Sequence, residues 1–410
     1  MSQTVTKSKS GIVPTVAGAP MVNYTFLVIY LVGMGAFGSF VNDMYQPTLP
    51  AMMHYFRCSV PVVQLGLTAG MVGLGLGQLI MGPLSDKYGR KPLLFISLII
   101  FCIGSVASVF SPTIHFFLIC RVVQGFGASG GYFLARTIPT DLYSGRALAK
   151  IMAVIGAING IAPASAPVLG GVIADWLTWK GVFWFLALYG ALLLCFAPKL
   201  KETLPTERRQ QGSVGSAFRN YVTLLKNRPF MTHVILKGTS LGFLFAYISS
   251  GPFIFETHFG LSQTDFGLIM GLNAIFVAAG SMLALKFHPL KNAVFYAAIA
   301  LILTGGLTIF ILLTYMKTMW VYEVSLMPLF LCLGMIFSVS NTLAMNEGRA
   351  MAGDASAVLG IVGYIIGAAV SPLVGLGNIM HSTAIIFGVL IVITFVYAVF
   401  SYRLAPDIDS

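Results

Sequence analysis

The sequence has few charged residues and few groups suited to bond-making chemistry. Asp, Glu, Lys and Arg make up only 9% of its 410 residues, whereas roughly 25% is usual for a soluble protein. The five cysteines form no C-x-x-C pair, which argues against a disulfide framework or a zinc site. The six histidines are scattered, and no nucleophilic triad, metal-ligand cluster or nucleotide-binding loop occurs. We therefore expect no catalytic residue, no metal and no cofactor.

Apolar residues are abundant instead, at 57% of the chain, with a mean hydropathy of +0.88. Runs of roughly 20 apolar residues are long enough to cross the hydrocarbon core of a bilayer. Twelve such runs fall near 24–47, 62–83, 92–110, 114–135, 148–174, 181–198, 230–255, 265–285, 293–315, 320–344, 353–377 and 383–402. The pattern predicts an all-α polytopic membrane protein with twelve transmembrane helices.

A polar linker divides the twelve runs into two sets of six. We predict a tail at 1–23, a six-helix half at 24–198, a linker at 199–229, a second half at 230–402 and a tail at 403–410. Most of the 24 basic residues fall in alternate connecting segments, which places those segments and both termini in the cytoplasm. Because the bases are dispersed, the sequence gives no indication of a nucleic-acid partner.

Asp43 is an acid within the first apolar run and is predicted toward the periplasmic end of the first helix. An ionised carboxylate in a bilayer costs several kcal/mol unless it is paired, hydrated or protonated, and such residues usually mark ion or proton pathways. One interpretation is that Asp43 binds a proton or a cation. The other is that it is a structural carboxylate that caps a kink before Pro47.

Arg121 lies deep in the fourth run, where an arginine is expected to face a cavity or a partner. We expect it to favour the ionised form of Asp43 by proximity. Lys237 is expected to extend to the membrane surface. Other polar residues within the runs are candidates for a cavity wall, although each alone is more often explained by an interhelical hydrogen bond. They are Ser39, Asn42, Gln46, Gln124, Tyr132, Asn159, Tyr247, Asn273, Asn341 and Tyr364.

A short charged connector joins the second and third runs. It places Gly82, Asp86, Gly89, Arg90 and Lys91 at the spacing G-x-x-x-D-x-x-G-R-K. This connector resembles the signature loop of the major facilitator superfamily at every defined position. The resemblance implies that Asp86 and Arg90 contact a helix of the other half on the cytoplasmic side and favour the outward-facing state.

Other stretches resemble the drug:proton antiporters of that superfamily. The fourth run carries R-x-x-Q-G-x-G from Arg121, and the first run carries D-M-Y-x-P-x-L-P from Asp43. The fifth run contains an A-P-x-x-G-G stretch that begins at Ala166 and is typical of the Bcr/CflA drug-resistance subfamily. For Asp43 the resemblance implies a role in proton and cation binding. The similarity extends over nearly the whole chain.

The antiporter stretch of the fifth run contains Pro163, Pro167, Gly170 and Gly171. Each proline removes a backbone donor and bends the helix, and the glycines allow a neighbouring helix to approach closely. With the connector residues, these four are predicted to take part in a conformational switch. A kinked helix without any coupling role is the alternative.

The resemblance implies a monomeric proton-coupled antiporter of the bacterial inner membrane. Such a protein has the fold of the superfamily and exports drugs or small amphipathic metabolites by alternating access, with the proton gradient as its energy source. Its expected partners are a small-molecule substrate, protons and the lipid bilayer. A proton-coupled importer or facilitator remains an alternative. A non-transporting membrane sensor and a passive channel are weaker ones, because the sensor would need a soluble domain and the channel would leave the alternating-access motifs unused.

Overall fold

The structure is a computed structural model that describes residues 7–8, 11–12, 23–209, 215–314 and 317–404. It confirms the predicted helical fold class. The described part of the chain is almost wholly helical and contains twelve segments long enough to span a membrane. Ten helices in it are both long and apolar enough to cross one. Outside the helices, Lys7–Ser8 (β1) pairs antiparallel with Gly11–Ile12 (β2).

The first span consists of three helical pieces rather than one. It runs through Tyr24–Gly35 (α1), Phe37–Asp43 (α2) and Leu49–Phe56 (α3), with a 3₁₀ turn at Gln46–Thr48 before α3. Proline lacks a backbone N–H and bends a helix without ending it here, so the span reaches Phe56, beyond the predicted end at 47. Asp43 consequently lies just past the middle of the 33-residue span, and its place toward the periplasmic end stays a prediction.

Five further spans complete the N-terminal half. They are Val60–Tyr88 (α4), Arg90–Val109 (α5), Ile114–Leu142 (α6) and the two parts of Gly145–Phe196 (α7). The backbone leaves helical values at Thr178, where φ is 62°, and this kink separates the fifth span from the sixth. Gly89, with φ of 101°, forms the tight turn between α4 and α5 because glycine adopts positive φ without a steric penalty.

The C-terminal half contains six spans. A linker helix, Gly215–Lys226 (α8), precedes them, and 3₁₀ turns occupy Ala197–Lys199, Thr206–Arg208 and Arg349–Met351. The spans are Arg228–Pro252 (α9, extended by a π-helical turn at Phe253–His258), Gln263–Ala284 (α10), Leu290–Thr314 (α11), Met319–Glu347 (α12), Ala352–Leu373 (α13) and Ile379–Leu404 (α14). Side chains of Asn227 and Ser262 cap the first turns of α9 and α10, as expected for these residue types.

Each half has its own apolar core. One core is built almost entirely from residues 27–200 and the other from residues 236–398. The halves meet along α4 with α13 and along α7 with α10. Hydrogen bonds between them join Gln64 Nε2 to the Ser249 carbonyl and Thr68 Oγ1 to the Ala368 carbonyl, both at 2.8 Å. These contacts lie on the face opposite the chain termini, so the halves are joined there.

Candidate functional site

A cavity of about 390 Å³ lies between the two halves. Its wall combines α1 and α2 with Tyr132 of α6 and Pro163 of α7, and residues of α9, α10, α12 and α13 complete it. The lining extends toward the face on which the chain termini lie, where Ser281 and Phe337 contribute. Most lining side chains are aromatic or aliphatic, and such a pocket suits an amphipathic small molecule held by a few polar groups.

Asp43 is the one carboxylate among the described residues that line this cavity. It ends α2 and is partly buried. Gln46, one turn later, donates from Nε2 to Asp43 Oδ1 at 3.0 Å and to the Asn42 carbonyl at 3.0 Å. The break in the first span therefore supplies both the position of the acid and its partner.

Arg121 is fully buried and does not meet Asp43. Its guanidinium donates to the Val41 carbonyl at 2.6 Å, to the Gly66 carbonyl at 3.3 Å and to the side chain of Gln124. The ring of Tyr45 lies 4.3 Å away. No ion pair that the described residues form includes Arg121 or Asp43. Arg121 thus holds the backbone of α2 two residues before the acid, and its expected direct proximity to Asp43 is not found.

Six of the other cavity candidates line the wall, and three do not. The wall residues are Ser39, Asn42, Tyr132, Tyr247, Asn273 and Tyr364. Those placed elsewhere are Gln46, which lies behind Asp43, Gln124, which donates to Ser105 Oγ at 2.8 Å, and Asn341, which accepts from Lys237 Nζ at 2.9 Å. Lys237 is therefore bound within the C-terminal half rather than extended to the surface. The side chain of Asn159 lies outside the described residues.

The glycines of the fifth span face two different surfaces. A β-carbon on Gly170 would overlap the carbonyl of Met44, the residue after Asp43. One on Gly171 would overlap the carbonyl of Gln263 in α10, which belongs to the other half. The carbonyl of Pro167 lies against Gly267, which belongs to α10 as Gln263 does. The A-P-x-x-G-G stretch therefore joins the break beside Asp43 to the interface between the halves.

Comparison with known proteins identifies the family. The model of the Major Facilitator Superfamily matches residues 31–372. This chain belongs to the Major Facilitator Superfamily. It is accordingly a multi-pass membrane transporter that binds a small molecule within the bilayer, and not an enzyme.

Curated relatives of this superfamily member match most of its length. An uncharacterised MFS-type transporter, YdgK of Bacillus subtilis, is 36% identical over 372 residues and covers 89% of this chain and 92% of its own. A bicyclomycin resistance protein homolog of Haemophilus influenzae is 27% identical over 366 residues, with coverage of 85% and 89%. A bacterial homolog of the human lysosomal transporter Spinster, solved inward-facing and occupied, superposes with a TM-score of 0.76 at 15% identity, covering 93% of this chain and 97% of that one. That likeness shows the fold.

The charged connector of the transporter forms a network within the N-terminal half. Arg90 pairs with Asp141 of α6 at 2.9 Å and with Asp86 at 2.5 Å. Glu202 of the linker accepts from the backbone N–H groups of Arg90 and Lys91 at 2.9 and 3.1 Å. The hydrogen-bond and ion-pair partners of Asp86 and Arg90 among the described residues lie in their own half and the linker, so the expected contact with the other half is not seen in this structure. The cavity extends toward this face, and the hydrogen bonds between the halves lie at the opposite one.

A second buried acid of the transporter, Glu323, is not evident from the sequence pattern. Glu323 of α12 is 0% exposed, and neither of its carboxylate oxygens has a hydrogen-bond partner among the described residues. It stands one turn after the start of α12, where an acid is easily interpreted as interfacial. Asp43 is therefore not the only acid inside the bundle.

Proposed function

We propose that this transporter exports drugs or small amphipathic metabolites from the cytoplasm in exchange for protons, as a member of the Bcr/CflA subfamily. The observation that carries the proposal is the position of Asp43, the one carboxylate in the described wall of an otherwise apolar and aromatic cavity. Relatives named for resistance to bicyclomycin and chloramphenicol support the substrate class. The largely aromatic and aliphatic lining suits amphipathic compounds.

In the proposed cycle, substrate and proton compete for Asp43. When the cavity opens to the periplasm, protonation of Asp43 weakens its hold on the substrate, which leaves. The protonated carrier then reorients, loses its proton to the cytoplasm and loads again. Binding of each ligand to one conformation more tightly than to the other is what drives the exchange.

Movement of the halves is proposed to reach Asp43 through the fifth span. Gly171 packs against α10 of the other half, and Gly170 packs against Met44, the residue after Asp43. A change at the interface between the halves therefore shifts the backbone that carries Asp43. Arg121 fixes the preceding turn through the Val41 carbonyl, so that the shift is concentrated at the break. In this scheme Arg121 is a positioning residue, and the network of Gly82, Asp86, Gly89, Arg90 and Lys91 holds the connector.

We place the transporter in the bacterial inner membrane with both termini in the cytoplasm, because basic residues concentrate in the segments on that side. The cavity then extends toward the cytoplasm in this structure. We propose that the transporter acts as a monomer. We propose that no cofactor takes part and that the proton gradient supplies the energy.

The test uses purified protein in liposomes with an imposed pH gradient and two probes, chloramphenicol and the lipophilic cation ethidium. Wild type is expected to move at least one probe against its gradient, from the side that corresponds to the cytoplasm. Asp43→Asn, which retains the size and the hydrogen bond of the side chain, is expected to lose pH-driven accumulation while still exchanging probe for probe. Pumping by Asp43→Asn at the wild-type level would remove Asp43 as the coupling site, and flux in the opposite direction would indicate an importer.

A further inference from the structure

Glu323 lies in the interior, where it has no countercharge and no hydrogen bond among the described residues. Its side chain is 0% exposed, both oxygens are unpartnered, and none of the ion pairs among the described residues includes it. An ionised carboxylate in such surroundings costs several kcal/mol. A protonated carboxyl group avoids most of that cost, because it is neutral and has a hydrogen to donate.

The side-chain amide of Asn273, which neighbours Glu323, has an oxygen that accepts no hydrogen bond among the described residues. Asn273 Nδ2 donates to Tyr247 Oη at 2.8 Å, whereas Asn273 Oδ1 has no donor. Asn273 lies beside Glu323, but it forms no hydrogen bond with either carboxylate oxygen. A carboxylate and an amide oxygen are both acceptors and cannot bond to each other. One proton on Glu323 supplies the missing donor and satisfies the amide oxygen.

The helices packed against Glu323 supply no base. The titratable groups that face it are Tyr247 of α9 and Tyr322 of its own helix. α10 contributes the neutral Asn273, and the buried positions of α11 are apolar except for the hydroxyl of Thr308. Among these described neighbours, therefore, only a proton neutralises the acid.

Tyr247 and Asn273 also line the substrate cavity, so Glu323 stands directly behind its wall. We propose that Glu323, with Asn273 and Tyr247, forms a second proton-binding site in the C-terminal half, and that the transport cycle carries two protons. The acid lies near the start of α12, on the side where the halves are joined in this structure. Opening of that side exposes the group to the periplasm, and closure returns it to the cavity wall. The transport role rests on the proton coupling proposed for Asp43, whereas the protonated state of Glu323 does not.

Infrared difference spectroscopy tests the protonated state without any substrate. The full-length protein in lipid nanodiscs near neutral pH is compared with Glu323→Gln, and the carbonyl band of a protonated acid is identified by its shift in D₂O. We expect that band in the Glu323→Gln difference and carboxylate bands in the difference for Glu207→Gln, an exposed acid of the linker. Glu323→Asp retains a carboxyl group and should shift the band instead of removing it. Carboxylate bands at Glu323 would overturn the proposal.

The number of protons is measured in liposomes with the membrane potential held at zero, using whichever probe the wild type exports. The logarithm of the probe ratio then rises with the pH gradient with a slope equal to the protons per probe molecule. We expect a slope of two for wild type and Glu323→Asp and of one for Glu323→Gln, so that accumulation at a gradient of one pH unit falls about tenfold. A wild-type slope of one, or an unchanged slope in Glu323→Gln, would refute the second site. Absence of pH-driven accumulation by wild type would refute the proposed function instead, and the infrared result would stand.

Discussion

Each half of the transporter buries an ionisable group near the cavity, and the two groups differ in their hydrogen bonds. In the N-terminal half, Arg121 is permanently charged and its guanidinium donates to three acceptors. In the C-terminal half, Glu323 has neither a hydrogen bond nor an ion pair among the described residues. A buried charge that donates from each of its three nitrogens is fixed in place, whereas a buried acid without such bonds is stabilised by taking up a proton. Arg121 therefore makes the backbone beside Asp43 rigid in one half, and Glu323 provides a second titrating group in the other.

The largest effect is expected for Arg121→Ala, because three buried acceptors then lose their donor. Each costs about 1–3 kcal/mol when left unsatisfied. We expect the apparent unfolding temperature of the purified protein in detergent to fall steeply, with loss of pH-driven transport. Arg121→Lys keeps the charge but not the fork of donors, so it should recover part of the stability and little of the transport. If Arg121→Ala unfolded at the wild-type temperature, the hydrogen bonds of Arg121 would not be what holds this part of the N-terminal half rigid.

Gly171→Ala tests whether the surroundings of Arg121 and those of Glu323 are coupled through the contact between the halves. The added methyl group overlaps the Gln263 carbonyl, and a backbone group cannot move aside as a flexible side chain can. We expect transport to fall at least tenfold while each half remains folded. Gly306→Ala in α11 is the control, because no atom lies within 4 Å of the added carbon there. Equal transport by the two variants would contradict this role for Gly171.

A smaller loss is expected for Arg90→Ala, which extends the comparison to the loops of the two halves. Removal of Arg90 leaves Asp86 and Asp141 without their ion pairs, although Asp141 still accepts from Thr203 Oγ1. Because Asp86 is partly exposed, water compensates for part of the loss, and we expect about 1–2 kcal/mol of destabilisation. Lys286→Ala, in the loop between α10 and α11, is exposed and should change the unfolding temperature little. If both variants behaved alike, the charged connector would have no special role in holding its half.

The sequence predicts the helical plan of each half well and the chemistry of the two halves unequally. Twelve apolar runs are a property of local composition, so the spans are recognisable without any structure. Asp43 is conspicuous because it interrupts such a run. Glu323 is not, because it stands near the start of its run and only packing shows that it is enclosed. The partners of Arg121 are equally hidden, since two of them are backbone carbonyls, which every residue possesses.

The smallest effect is expected for Glu323→Gln on stability, and its size separates the two states of the acid. If Glu323 is protonated in the folded protein, the amide of Gln replaces the hydroxyl as donor to Asn273 Oδ1. The unfolding temperature should then change little, by the equivalent of less than about 1 kcal/mol. If Glu323 were an unpaired carboxylate, the same substitution would remove a buried charge and stabilise the protein by several kcal/mol. A large rise in the unfolding temperature of Glu323→Gln in detergent would therefore mean that both halves bury a permanent charge, and the contrast between them would not hold.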